Sequence, residues 1–255
     1  MTSRGGDARW PAYLAELIGT ALLVLVGLSF VILDFGVGSP VAAAIPDPLL
    51  RRALTGLLFG ATGAAIAVSH VGKISGAHIN PVVTLAFRLR GTLNTRDTLG
   101  YISAQFVGGV LGALPLLLWG AMGRSVAFGI TTPGAGYSVW AALGGEVATT
   151  AALIVGLFVF IGHRTLRRYT PLLFPALYAV MVALEAPLSG TSTNPARSVG
   201  PAVVAGVWTG WWIYFVGPVA GMLLGLGVHR TPWFDRFTFD VAKVYHFAYR
   251  AAPRQ

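Results

Sequence analysis

The chain contains little charge and no cysteine, and both absences limit its class. Of its 255 residues, 55% are hydrophobic and only 11% are charged, whereas a soluble domain carries about 25% charged residues. The lack of cysteine excludes a disulfide framework and a thiolate metal site. Several stretches without charge reach the ~20 residues that a helix needs to cross a bilayer. The composition therefore predicts a membrane protein, and we expect no metal site and no cofactor.

The net charge of +9 raises the question of a nucleic-acid partner. The basic residues, however, lie at the ends of apolar segments, which is typical of the loops of a membrane protein. We therefore expect the lipid bilayer to surround the chain, and we expect no nucleic acid as a partner.

Long apolar stretches predict six membrane-spanning helices. They cover approximately residues 11–33, 51–71, 99–119, 139–162, 171–184 and 211–228. Two further apolar runs, which follow residues 80 and 194, are too short to cross a bilayer alone.

Two copies of one phrase stand in equivalent places between these spans. Residues 75–84 read SGAHINPVVT, and residues 189–198 read SGTSTNPARS. Asparagine is a good helix cap, and proline at the first helical position is preset for a helix start. Each copy therefore predicts a loop that turns into a short helix at its Asn-Pro pair.

The two halves of the chain repeat each other. Besides the paired phrase, each half opens with a glutamate in an apolar span, Glu16 and Glu146. Three spans precede the second half, and this odd number inverts it in the membrane. The predicted fold is an all-α membrane protein with six transmembrane helices and two re-entrant half-helices. Its predicted parts are an N-terminus (1–10), a first inverted repeat (11–130), a second inverted repeat (131–230) and a C-terminal tail (231–255).

Lysine and arginine set the predicted orientation. If both termini are inside, most basic residues lie on the inner side, and only Arg51, Arg52 and Arg124 lie on the outer side. We expect cytoplasmic termini in a plasma membrane or a bacterial inner membrane. The basic and aromatic tail predicts either an amphipathic segment on the membrane surface or a disordered one.

The two half-helices indicate how such a protein selects solutes. A loop lies at membrane depth only if protein buries it or a wet cavity borders it. Two helix N-termini that face each other there, each with roughly +0.5 of a charge, repel cations and protons. Asparagine side chains that donate to water orient it and interrupt a proton wire. The predicted pore midplane consists of Asn80, Pro81, Val82, Asn194, Pro195 and Ala196.

The phrases around both Asn-Pro pairs resemble those of the aquaporin, or major intrinsic protein, family. The resemblance extends from Glu16 to Pro218, and its paired motifs are highly specific. It implies a homotetramer with one pore in each subunit. The first motif departs from the usual family pattern, because Val82 stands where most members have alanine.

The resemblance also implies a selectivity filter. An ungapped count from the two motifs puts the filter at Gly60, Val182, Thr191 and Arg197. With no side chain at Gly60 and an aliphatic one at Val182, this filter would be wide and partly apolar. A gap of one residue would put Phe59 in the filter in place of Gly60 and would narrow it.

Further residues of the two loops are expected to line or brace the pore. Glu16 and Glu146 occupy equivalent places, and their symmetry and the resemblance imply that they accept hydrogen bonds from the loop backbones rather than relay protons. His78 is expected to brace the first loop and to lend its carbonyl to the pore. The other predicted loop positions are Gly76, Ala77, Ser192 and Thr193.

Together these features favour a passive channel for water and small uncharged solutes, such as glycerol, urea or neutral metalloid hydroxides. A wide filter and the run 212–218 resemble the nodulin-like intrinsic proteins of this family. A water-selective channel is one alternative, and an ion-coupled transporter built from inverted repeats is another. The common enzyme motifs are absent from the sequence, so we expect no enzyme.

Overall fold

A computed structural model describes residues 9–229, 231 and 242–245, and all regular structure in these residues is helical. The α-helices are α1 (Trp10–Phe35), α2 (Pro40–Ala44), α3 (Pro48–Val68), α4 (His70–Ser75), α5 (Pro81–Leu89), α6 (Thr95–Ala113), α7 (Gly120–Ser125), α8 (Val139–Gly162), α9 (Thr170–Ser189), α10 (Pro195–Ala205) and α11 (Ile213–Val228). Short 3-10 turns cover Leu114–Trp119, Ala127–Gly129 and Leu166–Tyr169. Most of the predicted N-terminus and of the predicted tail lies outside the described residues.

Five helical stretches are long and apolar enough to cross a membrane. They are α1, α3, the stretch Thr95–Ser125 that begins with α6 and ends with α7, α8, and the stretch Leu166–Ser189 that contains α9. Helix α11 corresponds to the sixth predicted span and has 16 residues, which at 1.5 Å each extend about 24 Å. The predicted all-α membrane fold is confirmed.

Several spans differ from their predicted bounds by a few residues, and local chemistry explains the start of α6 and the end of α9. Helix α6 begins at Thr95 because Asn94 caps it, accepting from the Asp97 amide at 2.8 Å. Helix α9 continues past the predicted end to Ser189. It ends there because Gly190 takes a left-handed conformation with a φ of +85°, which glycine adopts without steric cost.

Helices α5 and α10 are the two half-helices. They contain 9 and 11 residues, or about 14 and 17 Å of helix, which is well below the ~30 Å hydrocarbon core. The asparagine before each helix caps it through its side chain, and proline occupies the first turn in both. The two Asn-Pro pairs therefore start short helices, as the sequence predicts.

Glycines let the long helices of each repeat touch backbone to backbone. In the first repeat, a Cβ at Gly112 of α6 would lie 2.2 Å from the carbonyl oxygen of Ala21 in α1. In the second, a Cβ at Gly221 of α11 would lie 2.5 Å from the carbonyl oxygen of Val147 in α8. Small residues at such crossings are typical of helix association in membranes.

The order of the helices gives the bundle two faces. We call the face on which α1 begins and α11 ends the terminal face, and the other the opposite face. Helix α4 brings the chain from the terminal face to the first loop, residues 76–80. Helix α9 crosses from the terminal face to the opposite face, and the second loop, residues 190–194, enters the bundle from there. The two loops therefore enter the bundle from opposite sides.

Candidate functional site

Both loops reach their half-helices through left-handed backbone. The φ angles are +97°, +52° and +43° at Gly76, Ala77 and Ile79, and +85°, +51° and +53° at Gly190, Thr191 and Thr193. This conformation is uncommon outside glycine and is most costly for β-branched side chains such as that of Ile79. Strained backbone of this kind persists only where the surroundings fix it.

Two buried glutamates fix the loops at matching positions. Glu16 accepts from the His78 amide at 2.9 Å through Oε1 and from the Ile79 amide at 2.6 Å through Oε2. Glu146 accepts in the same way from the amides of residues 192–193, at 2.7 and 2.8 Å. Both carboxylates are 0% exposed. Hydrogen bonds to an ionised acceptor are roughly twice as strong as neutral ones, so these bonds hold the strained loops in place.

The two asparagines connect the loops across the centre of the bundle. Asn80 Nδ2 donates to the carbonyl of Thr193, and Asn194 Nδ2 donates to the carbonyl of Ile79, each at 2.9 Å. The Oδ1 atom of each asparagine caps its own half-helix. An amide carries two N–H groups, so one N–H of each asparagine is left for the cavity that both residues border.

The remaining predicted midplane residues support the asparagines. Pro81 and Pro195 form the first turns of the half-helices. Val82 and Ala196 are 0% exposed, and their amides donate to the asparagine of their own motif at 2.9 and 3.0 Å. Val82 belongs to the main apolar core, so its larger side chain is accommodated by core contacts.

A cavity lies beside the first loop, on the terminal-face side of the asparagines. Its volume is about 50 Å³, and one water needs about 10–15 Å³, so it has room for a short row of waters. Residues 77–80 of the first loop form one wall. The apolar lining includes Leu23, Phe59, Val83, Leu153, Leu157, Phe174 and Val244. Waters in such a cavity find hydrogen-bond partners mainly along the loop.

Phe59, which lines this cavity, also lies next to Arg197. The guanidinium carbon of Arg197 is 5.9 Å from the centroid of the Phe59 ring, a distance at which a cation and an aromatic face attract. Arg197 Nη1 also donates to the carbonyl of Gly129 at 2.9 Å. Its side chain is buried. The direct contacts of the guanidinium thus include a backbone carbonyl and an aromatic face.

Gly60 borders the cavity but also maintains the contact between α3 and α9. A Cβ at Gly60 would lie 2.4 Å from the carbonyl oxygen of Phe174. Gly56, one turn earlier, faces α9 in the same way, with 2.2 Å to the carbonyl oxygen of Tyr178. The structure therefore brings Phe59 next to Arg197. A side chain at Gly60 would instead point towards α9.

The other two predicted filter positions differ in their surroundings. Val182 is half-buried and packs against the main apolar core. Thr191 is buried, and its hydroxyl donates to the carboxylate of Glu185. The Thr191 amide donates to Ser189 Oγ at 3.1 Å. The hydroxyl of Thr191 is therefore occupied by a neighbouring carboxylate.

Three contributors to the site belong to no motif. Gln105 donates to Glu16 at 2.7 Å, the Tyr178 hydroxyl contacts the second loop at 2.8 Å, and Gly129 supplies the carbonyl that holds the arginine. A polar side chain within an apolar span is a sequence signal for the first two. Gly129 gives no such signal, because it acts through its backbone in a long glycine-rich connection.

Comparisons with known proteins agree with this geometry. A family model described as "Major intrinsic protein" matches residues 6–229. The chain is 32% identical to Aquaporin NIP1-2 of Oryza sativa subsp. japonica, over 94% of this chain and 78% of that protein. It is 30% identical to Aquaporin Z of Photorhabdus laumondii, over 85% of this chain and 94% of that protein. The crystal structure of the aquaglyceroporin from Plasmodium falciparum shares the fold, with a TM-score of 0.73 and 16% identity over 89% of this chain and 97% of that chain.

These matches cover nearly the whole chain and include its paired motifs. They support a channel rather than an enzyme, and they give no support to the ion-coupled transporter. The chain therefore belongs to the major intrinsic protein family, and it is a passive channel for water and small solutes.

Proposed function

We propose that water and small uncharged solutes pass between the two loops, and that protons and ions are refused there. The observation that carries this proposal is the crossing pair of Asn-Pro motifs, in which Asn80 and Asn194 each bond the opposite loop at 2.9 Å. A solute between them meets amide N–H donors and two helix N-termini, and both disfavour a positive charge.

A water at this point accepts hydrogen bonds and must direct its own hydrogens outward, away from both asparagines. The O–H groups that would pass a proton along a row of waters then point in opposite directions on the two sides of the asparagines. This interrupts proton transfer without any titratable group, because Asn80 and Asn194 are neutral. Ion exclusion here depends on fixed dipoles in a site with little water, where electrostatic effects are strong.

We further propose that Phe59, Val182, Thr191 and Arg197 form the selectivity filter, with Phe59 in the place that an ungapped count gives to Gly60. The 5.9 Å between the Arg197 guanidinium and the Phe59 ring supports this register. The aromatic ring makes the filter narrower than a glycine would. We therefore expect water to pass faster than glycerol, while aliphatic Val182 keeps part of the wall apolar.

The assembly and the orientation are also proposals. The family resemblance supports a homotetramer with one pore in each subunit. Large apolar side chains on the outside of the bundle, such as Leu14, Leu172 and Leu184 at 57%, 67% and 70% exposure, suit contact with lipid or with neighbouring subunits. The distribution of lysine and arginine supports a cytoplasmic terminal face in a plasma or bacterial inner membrane.

Stopped-flow light scattering on proteoliposomes tests the proposed function. Osmotic shrinkage should be faster than in protein-free liposomes, and uptake should fall from water to urea to glycerol. Glycerol uptake as fast as that of urea would contradict a filter narrowed by Phe59.

A further inference from the structure

Residues 242–245 lie against the first loop, at the terminal-face end of the cavity, and we call them the closing segment. Val244 is only 4% exposed, and it borders the cavity together with Leu23 and His78. Val244 also belongs to the main apolar core. Its side chain therefore occupies the place where a solute would enter from the terminal face.

Hydrogen bonds join the closing segment to the pore loop itself. The Val244 amide donates to the carbonyl of Gly76 at 2.9 Å. His78 Nε2 lies 3.3 Å from the carbonyl oxygen of Ala242, and because a carbonyl only accepts, the imidazole must donate here. The segment is thus attached to two successive parts of the loop that lines the cavity.

The close approach depends on glycine at position 76. A Cβ there would lie 2.7 Å from the carbonyl oxygen of Ala242 and 3.1 Å from the Cα of Lys243. Gly76 also has a φ of +97°, which favours glycine on conformational grounds. The closing segment therefore rests directly on the backbone of the loop.

The closing segment lies outside the part of the chain that the family model matches, residues 6–229. The contacts that hold it include the two hydrogen bonds above, a Lys243 ammonium that donates to the carbonyl of Lys73 at 3.4 Å, and the packing of Ala242, Val244 and Tyr245 against the main apolar core. A short segment held by local contacts can open without unfolding the bundle.

We propose that the closing segment is an autoinhibitory plug: with Val244 seated in the cavity the pore is shut at the terminal face, and it conducts when the segment leaves. This inference rests on the proposed channel function. In the conducting state, the carbonyl of Gly76 no longer accepts from the Val244 amide and is exposed to water. Conduction is then set by the ratio of seated to released segments.

Val244→Asp tests the plug in the full-length chain. Aspartate loses the apolar contacts of valine and would place a charge against an apolar wall, so it disfavours the seated state. A change of 1.4 kcal/mol shifts such a ratio about tenfold, and we expect water permeability per channel to rise by about that factor. Val37→Asp is the matched control, because Val37 is 78% exposed in a loop of the opposite face, and it should leave permeability unchanged.

The outcomes separate the plug from the channel function. Faster flux in Val244→Asp than in the wild type supports both. Equal flux in the two, well above that of protein-free liposomes, overturns the plug and leaves the channel. If neither protein exceeds protein-free liposomes, the proposed function fails.

A second measurement keeps the plug testable even if Val244→Asp does not fold. The chain has no cysteine, so Val244→Cys and Val37→Cys each carry a single thiol for maleimide labelling in detergent. A seated segment protects its thiol, and we expect labelling of Val244→Cys to be slower by about tenfold or more. Equal labelling rates in the two variants would overturn the plug, whatever the flux.

Discussion

Glu16→Gln is the substitution that tests most sharply how the first loop is held. The carboxylate uses one oxygen for the His78 amide and the other for the Ile79 amide, at 2.9 and 2.6 Å. Glutamine has a single oxygen of nearly the same reach. Whichever way its amide turns, one loop N–H faces an NH₂ group and loses its acceptor.

The expected loss can be estimated from these contacts. A buried donor left without a partner costs about 1–3 kcal/mol, and the surviving bond also loses its charge assistance, so the sum is roughly 2–4 kcal/mol. Gln105 offers no full rescue. Its Oε1 is a buried atom without a hydrogen-bond partner and can accept from the new NH₂, but it cannot replace an acceptor for the loop amide.

Thermal unfolding in detergent, followed by the fluorescence of the 7 tryptophans, measures this loss. We expect the midpoint to fall by about 5 °C or more and water permeability to fall with it, because Ala77 and Ile79 can relax from their left-handed conformations. Asp47→Asn is the control, since Asp47 is an exposed helix cap and asparagine caps equally well. A Glu16→Gln protein that matches this control in both assays would refute the account of the loop.

Three further substitutions test the filter. Phe59→Ala should raise the ratio of glycerol to water permeability in proteoliposomes, because it removes the ring beside Arg197; an unchanged ratio would argue against a filter role. Gly60→Ala should reduce the free energy of unfolding by about 1–3 kcal/mol and so lower the unfolding midpoint, because its Cβ would lie 2.4 Å from the carbonyl oxygen of Phe174. Wild-type stability together with a changed ratio of glycerol to water permeability would return the filter role to Gly60. Arg197→Ala should raise cation leak at least about tenfold, because a unit charge 4 Å from a permeating cation repels it by about 4 kcal/mol at an effective dielectric constant of 20. A leak equal to that of the wild type would contradict the role of Arg197.

Much of the fold can be read from the sequence because strong local signals agree with one another. Apolar length predicts the spans, and Asn80-Pro81 and Asn194-Pro195 predict half-helices that begin where the structure has them. The matching places of Glu16 and Glu146 likewise indicate a shared role, and each accepts two loop amides. Repetition makes these signals specific.

The filter register is harder to predict, because it depends on which side of α3 faces α9. Phe59 and Gly60 are adjacent, so a shift of one residue in the count exchanges a bulky ring for no side chain at all. The wide, glycine-lined filter implied by the ungapped count stays a prediction, and the contact between Phe59 and Arg197 is the observation that supports the proposed alternative register. A glycine four residues before Gly60, at Gly56, is the sequence signal for helix contact.

The contacts of residues 242–245 could not be predicted from the sequence either. A short segment far from the motifs in sequence shows no periodicity that ties it to the first loop. Only the three-dimensional proximity of Val244 and Gly76 shows where it lies.

Neutral molecules are proposed to cross between Asn80 and Asn194 without coupling to an ion. The most direct test is osmotic shrinkage of proteoliposomes that contain the wild type or Val244→Asp, measured with and without imposed proton and sodium gradients. We expect shrinkage faster than in protein-free liposomes and the same rate under every gradient, with no proton flux above background. Shrinkage or solute uptake that depends on either gradient would contradict the claim.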